Sequence, residues 1–179
     1  MSTLEDRILL LSEQVGVVAT ERHHIIVTAE SCTGGGIAAA LTAVPGSSAW
    51  FEEGFITYAA EKKTERLGVP ATLIEKVGVV SEAVAQAMAR GALAKSPTAT
   101  LSVAVTGIAG PSGGSARQPV GTVCLAWGER YNGHIVTCSR TIVVPGSRAT
   151  VRAETVRIAL TGLIEKIGYG NPSVMPCEY

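Results

Sequence analysis

Aromatic residues are scarce in this chain: two Trp, two Phe and four Tyr make up 4% of it. A dedicated platform for stacking a flat ligand ring is therefore not evident, and Phe51 and Tyr58 are the candidates for that contact. Histidine is rarer still. His23 and His24 open a strand, His134 sits on a hairpin, and no His-x-x-x-His or similar cluster occurs. A metal site is thus not expected. Charge is low at 17%, with 15 Lys+Arg balancing 15 Asp+Glu. A neutral chain does not advertise a polyanion surface, so no nucleic-acid partner is expected. The low charge also points to surface hidden in a homo-oligomer. No apolar run approaches the roughly 20 residues that span a bilayer, so no membrane partner is expected. The N-terminal segment is amphipathic and lacks the basic start and apolar core of a signal peptide. Cys32, Cys124, Cys138 and Cys177 include no Cys-x-x-Cys pair and read as reduced thiols of a cytoplasmic protein.

Against these absences, 46% of the 179 residues are hydrophobic, enough for one well-buried domain. That domain is placed at 1–168, with 169–179 as a mobile Gly/Pro-containing tail. Periodicity predicts helices at 4–20, 34–43, 60–67, 70–77, from Ser81 to about Lys95, and from Ser147 to Ile167. Strands are predicted at 24–30, 50–58, 101–105, 120–127 and 135–144, the last two joined around Asn132-Gly133. Helices flank strands at both ends, and consecutive strands come late. The expected fold is a three-layer α/β/α sandwich with a mixed sheet.

Two glycine-rich segments follow buried strands. The first is Thr28-Ala29-Glu30-Ser31-Cys32-Thr33-Gly34-Gly35-Gly36, and the second runs from Thr106-Gly107-Ile108-Ala109-Gly110 to Ser115. Ligands collect at the carboxyl ends of strands in open α/β sheets, so the pair suggests a binding site. Neither loop is a P-loop or a dinucleotide fingerprint. Arg148 and Arg152 share a face of the last helix near its start, where cations oppose the helix dipole; that suits an anion such as phosphate. Ser31, Cys32 and Ser48 are the candidate nucleophiles. With no histidine well placed, the remaining base is a lysine whose pKa burial has lowered, Lys62 or Lys63. Spacing also permits Ser48, Tyr58 and Lys63 to form one group.

Six stretches occur in order: Thr28 to Gly35, Gly46 to Phe51, Gly54 to Tyr58, Val79 to Glu82, Thr106 to Pro111, and Pro119 to Val123. Together they resemble the CinA C-terminal domain family from about residue 5 to 167. The resemblance implies an amidohydrolase acting on nicotinamide mononucleotide, needing neither metal nor organic cofactor. It implies a Ser–Lys pair assisted by tyrosine, at Ser48, Lys63 and Tyr58. The nucleotide site would draw on Glu30, Ser31, Thr33, Gly34 and Gly35, with Thr106, Gly107, Ile108, Ala109 and Gly110 from the second loop. Arg148 and Arg152 would meet the phosphate. Two-domain relatives carry a further pyrophosphatase-type domain, for which this chain has no room. Gln118 precedes Pro119 where many relatives would have lysine. Two other readings stay open: Cys32 as nucleophile, and a non-catalytic nucleotide-binding or regulatory module.

Overall fold

Ile26–Glu30 (β1) is buried along its whole length, and it forms the second strand of a five-stranded sheet ordered β2-β1-β3-β4-β5. A computed structural model describes residues 3–169. β1 pairs in parallel with Phe51–Ile56 (β2) on one side and Leu101–Gly107 (β3) on the other. Thr122–Tyr131 (β4) and His134–Val143 (β5) continue the sheet antiparallel. The mixed sheet expected from the order of elements is therefore present.

Alternation along β1 and β3 builds two cores, one on each face. Ile26, Leu101, Val103 and Val105 pack toward Leu4–Glu21 (α1), Gly36–Thr42 (α2) and Arg148–Tyr169 (α6). Val27, Ala29 and Ala104 pack toward Glu82–Lys95 (α5), which is flanked by Ala60–Leu67 (α3) and Ala71–Val77 (α4). Side chains alternate in a strand, so Ser31, one step beyond Glu30, turns toward the α3–α5 layer. Thr106 of β3 faces the same way, donating to Val79 O at 2.9 Å in the segment before α5.

Local chemistry explains where the elements end. Thr3 and Asp6 make a reciprocal capping box at the start of α1, and the Ser81 hydroxyl caps α5. β4 runs further than predicted, because Gly128 to Tyr131 still pair with β5 as far as the turn. Asn132 and Gly133 both have positive φ (49° and 79°), as a two-residue type I′ turn requires. α6 ends at Tyr169, and the expectation of a mobile tail otherwise falls outside the described residues. No helix among the described residues is long and apolar enough to cross a membrane.

The contact of α5 with α3 depends on Gly91. A Cβ there would stand 2.0 Å from the Leu67 carbonyl oxygen, which is backbone and cannot swing aside. Gly91→Ala should therefore destabilise the fold by about 2–3 kcal/mol, through forced separation of the two helices. Urea denaturation reads this as a lower midpoint with an unchanged slope.

Candidate active site

The turn after β1 is organised by one buried carboxylate. Glu30 is fully buried and accepts five hydrogen bonds: from the Thr28 hydroxyl (3.2 Å), the Thr33 hydroxyl (2.6 Å), and the amides of Gly35 (3.1 Å), Ile37 (3.0 Å) and Ala38 (2.8 Å). The three amides are orphan donors at the start of α2, and the negative charge also complements the helix dipole. Gly35 caps this helix with φ of 94°, and a Cβ on it would press on Ile56 at 3.0 Å. The N-terminus of α2 is thus already filled by a carboxylate from within the protein.

Between Glu30 and Thr33 the chain presents Ser31 and Cys32 to a cavity of about 560 Å³. Lys63 reaches the same point from the first turns of α3. Its Nζ lies 3.0 Å from Ser31 Oγ, 2.6 Å from Thr57 O and 3.3 Å from Tyr58 O. The lysine is fully buried, and Ser31 keeps only 8% exposure. Burial pushes the Lys63 pKa down to about 8, against a smaller upward pull from Cys32 and Glu61. Both carbonyls are neutral, so neither balances a positive charge. A neutral amine has two N–H donors and one lone pair. The three oxygens can accept from all three hydrogens of the ammonium, or the two carbonyls can accept from the neutral amine while its lone pair faces the Ser31 hydroxyl.

Ser48 does not belong to this group. It sits exposed on the 3-10 turn Ser47–Ala49, before β2, whereas Lys63 follows β2. A six-residue strand between them spans about 20 Å. The predicted Ser48–Lys63 pairing is therefore replaced by Ser31–Lys63. Cys32 lines the same cavity, and burial raises its pKa to about 11, which favours the neutral thiol.

The other predicted residues divide into wall and frame. Tyr58, Thr106, Gly107, Ile108, Ala109, Gly110 and Arg148 line the cavity together with Ser31. Glu30 and Thr33 do not: both are buried and bonded to each other, so the proposed ligand contacts through their side chains are corrected. Gly34, Gly35 and Arg152 are likewise absent from the wall, and Arg152 Nη2 instead donates to Thr33 O at 2.9 Å. Sequence reasoning missed Val79 and Val80 as wall residues, although they opened one of the six recurring stretches. Gln118, noted as a departure, also lines the cavity and donates to Val80 O at 2.7 Å. Among the described residues, no group of three or more His, Cys, Asp or Glu could hold a metal ion.

A family model described as the CinA C-terminal domain matches residues 9–167. The chain belongs to the CinA C-terminal domain family. It is 51% identical to the nicotinamide-nucleotide amidohydrolase PncC of Pseudomonas putida, over 89% of this chain and 97% of that protein. Identity to the PncC of Escherichia coli K12 is 43%, over 89% of this chain and 94% of that one. The crystal structure of the competence/damage inducible protein CihA from Agrobacterium tumefaciens superposes with a TM-score of 0.84 at 44% identity, covering 92% of this chain and 98% of that one. Here the fold brings two strand ends and a lysine-bearing helix to one cavity.

The frame role of Glu30 has a measurable consequence. Glu30→Ala leaves three amides and two hydroxyls without their acceptor and should cost about 3 kcal/mol of stability. Chemical denaturation reads that loss directly, and an unchanged midpoint would show that the carboxylate is dispensable.

Proposed function

We propose that this chain hydrolyses the carboxamide of nicotinamide mononucleotide to nicotinate mononucleotide and ammonia, with Ser31 as nucleophile and Lys63 as base. The observation that carries the mechanism is the 3.0 Å contact between a buried Lys63 Nζ and Ser31 Oγ. The substrate comes from the two PncC relatives, both matched over nearly their whole length. A module that only bound nucleotides would have no need to bury a lysine against a serine.

Ser31 Oγ attacks the carboxamide carbon while Lys63 takes the hydroxyl proton. The oxygen of the tetrahedral intermediate needs donors. The Ala109 amide is suited to this, being on the cavity wall with no acceptor among the described residues. Collapse breaks the C–N bond, and the proton on Lys63 passes to the departing nitrogen, giving ammonia and a Ser31 ester. Water then attacks the ester with Lys63 again as base, releasing the carboxylate. Tyr58 orients Lys63 through its carbonyl, while its hydroxyl accepts from Arg148 Nη2. Arg148 is the cation assigned to the phosphate. The same proposal includes a homo-oligomer in the cytoplasm, supported by Leu10 and Val17, exposed seven residues apart on α1.

Three results are expected when ammonia release from nicotinamide mononucleotide is followed. Ser31→Ala and Lys63→Met each lose activity by on the order of 10³-fold or more. Ser48→Ala keeps wild-type turnover. The pH profile has its own signature: only neutral Lys63 accepts a proton, so kcat/KM should rise with pH through about 8 and level off above it. Activity retained by Ser31→Ala and lost by Ser48→Ala would return the nucleophile to the earlier assignment.

A further inference from the structure

A second cavity, of about 940 Å³, shares no lining residue with the candidate active site. Residues of α3, α4, α5 and the β4–β5 hairpin line it. α5 presents Ala83, Ala87, Arg90 and Ala94 to it, at the three- and four-residue spacing of one helix face. The apolar wall is aliphatic, with Leu67, Leu73 and Ile135, and no aromatic residue lines it. The charged wall is of one sign: Arg90, Lys95 and Arg130 line the space, and no Asp or Glu does. Because 15 Lys+Arg balance 15 Asp+Glu over the chain, this excess is local. The cavity beside α1 has the opposite character, with Glu13 and Glu21 and no Lys or Arg. A concave, mostly apolar space with a few convergent polar groups is the usual form of a small-ligand site.

Both guanidinium groups are fixed, yet neither is neutralised. Arg90 Nη1 donates to Ile135 O at 2.7 Å, and its Nη2 donates to Thr137 Oγ1 at 2.8 Å. Arg130 Nε donates to Ala99 O at 3.1 Å, and its Nη2 donates to Leu93 O at 2.6 Å. All four acceptors are uncharged. The ion pairs formed among the described residues include none of Arg90, Lys95 and Arg130. Arginines held in place beforehand lose little further freedom when an anion arrives. Their remaining N–H groups would meet it with charge-assisted hydrogen bonds, which are stronger than those to neutral oxygens.

We infer that this groove is a second binding site, for an aliphatic carboxylate: Arg90, Lys95 and Arg130 receive the head group, and Leu67, Leu73, Ala87 and Ile135 cover the chain. The sign of the head follows from the one-sided charge of the wall. The aliphatic body follows from a wall that offers methyl and methylene groups and no ring on which a flat ligand could stack. Each methylene taken out of water adds to affinity, so head and body both contribute. The site goes beyond the amidase reading and does not depend on it.

The test is calorimetric titration of the full chain with octanoate, with acetate (the head alone) and octanol (the chain without charge) as controls. Octanoate should bind saturably, and each control should bind at least about tenfold more weakly. Two substitutions place the site. Ala83 and Lys95 both line the groove and are exposed on α5, so changes there leave the thermal midpoint where it is. Ala83→Glu sets a carboxylate in the groove and should weaken octanoate binding at least about tenfold. Lys95→Gln removes one exposed cation and should weaken it roughly threefold. Should Ala83→Glu fail to fold, Lys95→Gln decides. The inference is overturned if octanoate does not bind saturably, if octanol binds as tightly as octanoate, or if octanoate affinity is unchanged in the folded variants. None of these readings involves ammonia release, so they are separate from the test of the amidase.

Discussion

The Glu30 carboxylate is the point to which the rest of the site is referred. It ends a buried strand and caps the following helix across a turn rich in glycine. Five donors converge on it within 3.2 Å. A carboxylate removed from water is costly unless such donors surround it. Here they are supplied by groups that would otherwise be orphaned, so the two costs cancel. The turn between Glu30 and Thr33 is pinned at both ends, and Ser31 projects from it toward the α3–α5 layer. A nucleophile needs this kind of fixed mounting, because misplacement by about 1 Å costs large factors in rate.

The second constraint is dielectric. Lys63 is buried without a carboxylate on its Nζ, against two carbonyls and a hydroxyl. Desolvation lowers its pKa to about 8, so a fraction of the amine is neutral near neutral pH, in a cavity that no histidine lines. Cys32 shows the same physics with the opposite result. Burial favours its neutral thiol, which is the unreactive form. One environment therefore shifts both groups toward their neutral forms.

Much of the fold was legible because it rests on local periodicity. The buried runs of β1 and β3, the Ser81 cap and the Asn132-Gly133 turn are all written in short stretches of sequence. Both glycine loops were also legible as strand ends on one edge of the sheet. The pairing of Lys63 was not, since it depends on which strand end α3 is brought back to. Ser48 and Lys63 are close in sequence but lie before and after β2, so the strand itself separates them. Ser31 is far from Lys63 in sequence and meets it only because β1 and β2 are parallel, with Glu30 opposite Ile56. Strand polarity was the signal that could have excluded Ser48. Glu30 was misread for a related reason: it caps α2 from the end of the preceding strand, which no local capping pattern describes.

The central claim is that the acyl group passes through Ser31. The most direct measurement is mass spectrometry of protein quenched during turnover of nicotinamide mononucleotide, with fragmentation to locate the adduct between Ser31 and Ser48. An ester on Ser31, absent from Ser31→Ala, is the predicted result. An ester on Ser48, or a thioester on Cys32, would contradict it.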